Sequence, residues 1–312
     1  KTTLRIKLTL NRATVWYVYI LNQCFIYETI WCQKVLKFML DSPNNYRIEY
    51  RGVGKQFANT QSTGANDEFI IAVKDVDLSV RDGEVVSLIG PSGCGKSTLL
   101  NMGSGLYQPS AGEVYVDQEK VDRPNAHVGF MLQKDLLLAW RTIRKNVEFG
   151  LEIQGVPAKI RNERSSELLE KCRLSGFEEH YPHQLSGGMR QRAALARTLA
   201  AEPSVLLLDE PFSALDAQTK MILQQDLAET LAAEKKTALF ITHDLAESVA
   251  LSDRVFVMSQ RPGTIIEEID IDLPLRENPM ARRHDLQKEV GDYVSRLMEL
   301  LHVGELASEV EI

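Results

Sequence analysis

The sequence predicts an α/β fold built on a mostly parallel sheet with helices on both faces. Three short apolar runs support this prediction: residues 84–89 (EVVSLI), 204–208 (SVLLL) and 237–241 (TALFI). Uninterrupted apolar runs of this length are typical of parallel strands that are buried on both faces. Each run is followed by polar or acidic residues and then by helical sequence, as in strand–helix–strand units. We therefore expect functional groups at the carboxyl ends of these strands.

Two further strands and a turn are predicted before the first apolar run. Residues 47–57 alternate weakly and indicate a strand, and residues 69–80 indicate a second one. The polar segment ANTQSTGAND (58–67) between them is expected to be a loop, and Asp82-Gly83 a turn.

The pattern becomes helical between the first and second apolar runs. We expect a helical subdomain over about residues 134–203, in which residues 160–172 form a charged amphipathic helix. After residue 263 the chain is acidic and is expected to be irregular, then helical from about 280 to 301. For this tail the sequence leaves regulation and simple packing both open.

Composition excludes several classes of protein. The 312 residues are 44% hydrophobic, which is typical of a globular protein with a substantial core. The net charge of −7 disfavours a nucleic-acid partner. The four cysteines form no C-x-x-C pair, so we expect free thiols rather than a zinc site or a disulfide framework.

The first 38 residues differ from the rest in being basic and rich in tryptophan. The apolar stretch 15–31 is short for a membrane span and is interrupted by Asn22, Gln23 and Glu28. We expect residues 1–38 to lie outside any domain, as translated upstream sequence, with the native protein beginning at Met39. The alternative is an interfacial helix resting on a membrane or a partner.

The segment GPSGCGKS (90–97) matches the phosphate-binding pattern G-x-x-x-x-G-K-[ST] and lies between an apolar run and a helix. The glycines allow backbone N–H groups to close around phosphate oxygens. Lys96 would reach the β- and γ-phosphates, and the Ser97 hydroxyl would bind Mg²⁺. This segment, called the P-loop below, predicts a nucleoside triphosphate ligand.

Acidic and polar residues follow the later apolar runs. Asp209 and Glu210 end the second run, where Asp209 would hold Mg²⁺ and Glu210 would orient or deprotonate the attacking water. His243 follows the third run, where a γ-phosphate contact and an ordinary structural histidine are equally compatible with the sequence. Gln133 follows the apolar residues 128–132 and carries little information alone.

A second anion site is predicted at LSGGMRQ (185–191). A Ser-Gly-Gly turn opens a helix there, and helix N-termini attract anions through their free N–H groups and dipole. We call residues 186–188 the signature turn. One chain thus carries two phosphate-binding helix starts about ninety residues apart in sequence.

Together these segments resemble the ABC-type transport ATPases. The matching segments occur in that family's order: the P-loop 90–97, Gln133, LSGGMRQ 185–191, LLLDE 206–210, SALD 213–216 and His243. The resemblance implies a RecA-like P-loop NTPase core with a mostly parallel sheet, an antiparallel β subdomain and an inserted helical signature subdomain. The ATP-binding domain would span residues 46–270, and residues 271–312 would form a partly helical tail.

The resemblance also implies the cofactors ATP and Mg²⁺ and a role for each matching residue. Glu210, His243 and Gln133 would be catalytic, and Ser97, Gln133 and Asp209 would hold the metal. Phe57 would stack on adenine, although a phenylalanine at a strand end is usually part of a core. The other nucleotide contacts would be Gly90, Pro91, Ser92, Gly93, Cys94, Gly95, Lys96, Ser97, Thr98, Ser186, Gly187, Gly188 and Gln191.

In this family two nucleotide domains meet head to tail, so the signature turn of one copy would bind the γ-phosphate held by the P-loop of the other. The implied partners are a second copy of the chain, an integral-membrane permease and, indirectly, a solute-binding protein. The implied location is peripheral, on the cytoplasmic face of the cell membrane.

Residues 128–150, 253–265 and 271–275 resemble the nitrate, taurine and aliphatic-sulfonate importer group, although Leu132 and Ala139 depart from its usual pattern. An importer of another solute, such as a thiamine precursor, stays open. Three other classes are disfavoured: an inactive scaffold by intact Glu210, Gln133 and His243, a nucleic-acid-remodelling ATPase by the acidic charge, and a P-loop kinase by the presence of LSGGMRQ. Residues 134–146 would border the groove for the permease. Trp140 would anchor that contact, unless it packs in the helical core.

Overall fold

The structure is a computed structural model that describes residues 46–59 and 69–309, with side chains described as far as Leu301. The predicted extension 1–38 and the proposed start at Met39 lie outside the described residues. The described strands form two sheets. The first is antiparallel and comprises β1 (Tyr46–Ala58), β2 (Phe69–Arg81), β4 (Ala111–Val116) and β5 (Glu119–Lys120) in the order β2-β1-β4-β5.

The second sheet has the order β10-β9-β3-β8-β7-β6, and its strands are β3 (Val85–Ile89), β6 (Val128–Met131), β7 (Val205–Asp209), β8 (Thr237–Ile241), β9 (Arg254–Met258) and β10 (Ile265–Asp270). All neighbours are parallel except β10, which pairs antiparallel with β9 at the edge. Every residue of β3, β7, β8 and β9 is buried, as expected for strands covered on both faces. The predicted α/β class is confirmed.

Helices connect these strands. The described helices are α1 (Lys96–Gly103), α2 (Ile143–Val147), α3 (Phe149–Ile153), α4 (Ala158–Lys171), α5 (Gly187–Ala200), α6 (Ala217–Ala233), α7 (Leu245–Leu251), α8 (Pro279–Asp285) and α9 (Gln287–Glu309).

The antiparallel sheet packs against the helix that follows the P-loop. Tyr50 of β1 is 2% exposed, and its hydroxyl donates a hydrogen bond of 2.9 Å to the Leu99 carbonyl in α1. A side chain at Gly103 would place its Cβ 2.3 Å from that hydroxyl, so glycine permits the close approach. Burial raises the pKa of Tyr50, so the hydroxyl stays protonated and remains a donor. This contact fixes α1 relative to the sheet.

Helices α2 to α5 share a separate hydrophobic cluster that includes Ile143, Val147, Leu168, Leu169 and Ala193. A buried amide organises the segment in front of it. Asn146 accepts a hydrogen bond from the Leu138 N–H and donates to the carbonyls of Leu138, Arg141 and Thr142. These bonds hold residues 138–142 in one conformation without regular secondary structure.

The end of the chain differs from the sequence prediction. Residues 265–270 were expected to be irregular, but they form β10, whose Ile269 is buried while the acidic side chains lie at or near the surface. The expected single helix is divided at Leu286 into α8 and α9. Val290 and Leu297 pack on Ile89 and Val255 of the parallel sheet. This packing ties the described part of the tail to the core.

Candidate active site

One cavity of about 490 Å³ lies at the carboxyl ends of the parallel strands. It receives the loops that follow β3, β6, β7, β8 and β9, together with the adjoining ends of β1 and β2. Its lining residues are Phe57, Ile70, Ala72, Ser92, Gly93, Gly95, Lys96, Ser97, Thr98, Gln133, Glu210, His243 and Arg261. Segments that are far apart in sequence therefore meet where the strand pattern predicted.

The P-loop joins β3 to α1. Gly95, the N-cap of α1, has a φ of 109°, and a Cβ there would lie 2.5 Å from Val73 Cγ1 and 2.9 Å from the Ala72 carbonyl oxygen. Only glycine satisfies both constraints. No side chain caps the first N–H groups of α1, which leaves them available to an anion.

Lys96 is held inside the P-loop. Its Nζ donates to the carbonyls of Gly90 and Pro91, each at 2.8 Å, and lies 3.7 Å from Cys94 Sγ. Gly90, Pro91 and Cys94 do not line the cavity, although they were predicted as nucleotide contacts. In the structure their contact is with the lysine.

Asp209 ends β7 beside the P-loop. It is 4% exposed, and its Oδ1 has no hydrogen-bond partner. Burial raises the pKa of this carboxyl, while the Ser97 hydroxyl and the Lys96 ammonium act in the opposite direction. A buried carboxylate oxygen without a partner, next to a serine hydroxyl, suits a hard cation such as Mg²⁺.

The described residues contain no group of three or more His, Cys, Asp or Glu side chains that would hold a metal by itself. A magnesium ion at Asp209 would therefore need further oxygen ligands from phosphate or water, as is usual where Mg²⁺ binds with a nucleotide. Gln133, the other predicted ligand, lies in the same cavity.

Glu210 and His243 both line the cavity, and their side chains are in contact. His243 Nε2 lies 3.1 Å from Glu210 Oε1. Glu210 has a φ of 49°, a conformation that costs free energy for a glutamate and persists only where neighbours fix it. Its N–H donates to the Ile241 carbonyl at 3.1 Å, and its carbonyl accepts from Gln191 Nε2 at 2.8 Å and from Ser213 Oγ at 3.1 Å.

Phe57 lies near the C-terminal end of β1, beyond the buried residues of that strand. It is 36% exposed, which excludes the alternative that it packs in a core, and it pairs in register with Ile70 of β2. Tyr107 meets its ring edge-on at a centroid distance of 5.7 Å, and Lys55 Nζ lies 5.3 Å from its centroid. These contacts orient an aromatic face at the cavity.

The signature turn lies outside this cavity. Ser186 is the N-cap of α5 and accepts a hydrogen bond from the Met189 N–H at 3.3 Å. Ser186 and Gly187 are exposed. Gly188 is tightly packed, because a Cβ there would lie 3.1 Å from the Ala214 carbonyl oxygen.

Gln191 was also predicted to contact the nucleotide, and in the structure it is held by backbone groups near Glu210. Gln191 is 4% exposed and does not line the cavity. Its amide donates to the Glu210 carbonyl and accepts from the Ala214 N–H at 2.9 Å. These two hydrogen bonds fix the backbone around Glu210, and the nucleotide contact of Gln191 stays a prediction.

Three lining residues were not predicted: Ile70, Ala72 and Arg261. Arg261 follows β9, which pairs in parallel with β3, so its loop reaches the same edge as the P-loop. The apolar sequence of β9 (RVFVM) offered that signal, since it is another buried run followed by polar residues.

Comparisons with known proteins agree with this geometry. A family model described as ABC transporter matches residues 73–213. An uncharacterized ABC transporter ATP-binding protein of Methanocaldococcus jannaschii is 48% identical over 76% of this chain and 86% of its own length. The nitrate import ATP-binding protein NrtD of Synechocystis is 44% identical over 70% of this chain and 83% of its own. The taurine import ATP-binding protein TauB of Yersinia pestis is 43% identical over 66% and 80%.

Among solved structures, a dimeric ATP-binding cassette in a post-hydrolysis state with ADP and phosphate superposes with a TM-score of 0.65. It is 33% identical, over 72% of this chain and 98% of that one. Within the described part of the chain, every helix is too short or too polar to cross a bilayer. The chain belongs to the ABC transporter family, as an ABC-type ATPase similar to the ATP-binding proteins of importers.

Proposed function

We propose that this chain is the ATP-hydrolysing subunit of an ABC importer and that it works as a pair of identical subunits driving a separate permease. The observation that carries the proposal is the division of the phosphate-binding elements. The P-loop, Glu210 and His243 share one cavity, whereas the signature turn opens to solvent elsewhere.

The cavity would hold ATP with its adenine on Phe57 and its phosphates on the P-loop. The aromatic face, oriented by Tyr107 and Lys55, suits a planar base. The uncapped N–H groups of α1 and the Lys96 ammonium suit the phosphates. The predicted contacts Ser92, Gly93, Gly95, Lys96, Ser97 and Thr98 all line this cavity.

Ser97, Asp209 and Gln133 would hold Mg²⁺ with the nucleotide. When bound, the ion would neutralise the negative charge that develops on the phosphates. Asp209 suits this role because its Oδ1 lacks any other partner. The P-loop contributes Ser97 at the start of α1, which fixes its hydroxyl relative to the phosphates.

Glu210 would take a proton from the attacking water. Its carboxylate is 17% exposed and is held by His243, so it has one orientation in a partly shielded site. His243 would steady Glu210 and approach the γ-phosphate. The signature turn of the second copy would supply N–H donors to the same phosphate and exclude water.

The two copies would be related by a two-fold axis, so each signature turn closes the partner's cavity. Residues 186–187 are exposed and small, which lets another chain approach closely. Hydrolysis removes the shared phosphate, and the pair then reopens.

The permease would dock on the segment around Trp140. This side chain is 75% exposed, which excludes the alternative that it packs in the helical core. Asn146 holds the segment, and Arg141 joins it to α3 through Glu152 at 2.5 Å. Exposed Leu136 and Ile153 add to the apolar surface of this region.

The transported solute would be nitrate, taurine or an aliphatic sulfonate, delivered by a solute-binding protein. The relatives named for nitrate and taurine import support this group. The chain would act at the cytoplasmic face of the membrane as a peripheral subunit.

A capture experiment tests the proposal. Tagged Glu210→Gln, which should retain ATP and stay paired, is incubated with Mg-ATP and solubilised membranes of the native host. Glu234→Gln, at an exposed site on the far end of α6, is the matched control. We expect a multi-span membrane protein to co-purify with the first variant more than with the control, and to be lost on Trp140→Ala. Capture of soluble or nucleic-acid partners alone would contradict the transport proposal.

A further inference from the structure

Arg261 lines the cavity from the loop after β9, and this residue was not among the predicted site residues. Its Nη2 and Nε donate to the Gly93 carbonyl of the P-loop at 3.1 and 3.3 Å. Among the described lining residues, the permanently charged cations are Lys96 and Arg261. Arg261 is therefore one of the two fixed positive charges among these lining residues.

The turn that carries Arg261 is built to lie against the P-loop. The Ser259 N–H donates to the Thr264 carbonyl at 3.0 Å, and the Thr264 N–H donates to Ser259 Oγ at 3.0 Å. Gly263 donates to the Ala72 carbonyl. A Cβ at Gly263 would lie 2.0 Å from the Cys94 carbonyl oxygen, so glycine allows the turn to touch the P-loop backbone.

The two cations are bound differently. Lys96 is 5% exposed and has protein partners for its ammonium group in Gly90, Pro91 and Cys94. Arg261 is exposed, and its Nε and Nη2 both donate to one carbonyl, that of Gly93. A guanidinium has five N–H donors in a planar fork that suits phosphate oxygens, so donors remain for a ligand.

We propose that Arg261 contacts the phosphates of the bound nucleotide while it remains anchored on Gly93. This inference rests on the proposed nucleotide-binding function and adds a phosphate ligand outside the recognised motifs. The anchor fixes the guanidinium next to the loop whose pattern cradles phosphates, so the contact needs little reordering of a long side chain.

The test measures the dissociation constant of ADP by calorimetry for the full chain and three variants, at low salt and at about 0.5 M salt, where charge interactions are strongly screened. Arg261→Gln removes the charge but keeps an amide donor, and Arg261→Lys keeps the charge. Arg123→Gln is the matched control, since Arg123 is 86% exposed and is not among the lining residues. Thermal unfolding without nucleotide checks that each variant is folded.

At low salt we expect Arg261→Gln to weaken ADP binding about tenfold, because it loses a charge-assisted hydrogen bond. The deficit should shrink several-fold at high salt, and Arg261→Lys should recover most of the affinity. Binding by Arg261→Gln within twofold of the unchanged chain would overturn the inference. So would an equal loss in Arg261→Lys at both salt concentrations, because the arginine would then act only on loop geometry. Absence of ADP binding by the unchanged chain would overturn the proposed function itself.

Discussion

The cavity and the signature turn are both built from a small-residue turn leading into a helix, yet their surroundings are opposite. At the P-loop, Lys96 has three protein partners and Gly95 touches β2. At the signature turn, Ser186 and Gly187 face solvent, and a Cβ at Gly187 would meet only Arg190, at 3.9 Å. The first element lies within a formed site, whereas the second has only its helix start.

This difference indicates that a second chain must complete the site. Gly188 is packed against Ala214, and Gln191 binds the Glu210 carbonyl and the Ala214 N–H. The signature turn therefore has little freedom to move toward the cavity of its own chain. A rigid, exposed anion site on one chain fits a phosphate presented by another. The same Gln191 links that helix to Glu210, so the two regions are joined through the backbone of the proposed base.

The largest effect should come from removing the proton acceptor in the cavity. Glu210→Gln preserves shape and the His243 contact but cannot take a proton, so hydrolysis should fall by about 10³-fold while ATP binding is kept. Phosphate release and equilibrium ATP binding are the measurements, and light scattering should show a trapped dimer with ATP. Unchanged turnover in this variant would show that Glu210 is not the base. The cavity would then lack an assigned proton acceptor.

The next largest effect should come from the signature turn. Ser186→Arg places a bulky side chain on the exposed turn and should lower hydrolysis at least about 10²-fold by preventing close approach of the second copy. Because Ser186 does not line the cavity, the ATP affinity of the monomeric variant should stay within about twofold of that of the unchanged chain. Calorimetry on dilute protein, beside a hydrolysis assay, checks both quantities. A large loss of affinity would mean that the turn acts within its own chain.

Gln191→Ala should have an intermediate effect, because it breaks the link between the two regions without touching either ligand site. The Ala214 N–H loses its acceptor, and the backbone carbonyl of Glu210 loses one of its donors. These losses should lower the free energy of unfolding by about 1–3 kcal/mol. We expect kcat for ATP to fall about tenfold with little change in ATP affinity, because Glu210 becomes less well placed.

Gln218→Ala, at an exposed position of α6, is the control for Gln191→Ala and should change neither quantity. Denaturant unfolding and steady-state kinetics separate the two effects. A fall in ATP affinity with unchanged kcat would support the prediction that Gln191 contacts the nucleotide and contradict its role in placing Glu210.

The sequence predicted the residues on the parallel strands well, because each apolar run has a direct physical meaning. Residues 84–89, 204–208 and 237–241 gave three of the buried strands and, at their ends, the P-loop, Glu210 and His243. Their meeting in one cavity follows from the common edge of a parallel sheet.

The sequence was less informative where tertiary contacts decide. Gln191 belongs to a contiguous motif, but the motif does not reveal its hydrogen bond to the Glu210 carbonyl. The apolar run of β9 indicates a strand before Arg261, but the place of that residue at the cavity depends on β9 lying beside β3. Residues 265–270 are too weakly alternating to predict a strand, and they form one because β9 offers a free edge. The sequence left open whether Trp140 is exposed or packed in the core, because a single tryptophan is compatible with both environments.

The smallest effect should come from the proposed adenine site, where Phe57 would contact one face of the nucleotide base through apolar atoms. Phe57→Leu keeps an apolar side chain but removes the aromatic surface, so ADP affinity should fall about three- to tenfold, as expected for loss of one stacking contact of about 0.5–1.5 kcal/mol.

Phe177→Leu is the matched control, since Phe177 is 37% exposed beside 36% for Phe57 and is not a lining residue. Calorimetry with ADP should show no change for this control, and Phe57→Trp should retain binding. Because stacking supplies affinity rather than chemistry, kcat at saturating ATP should stay the same, in contrast to the variants at Glu210 and Ser186. Equal losses in the Phe57 and Phe177 variants would mean that the base does not lie on Phe57.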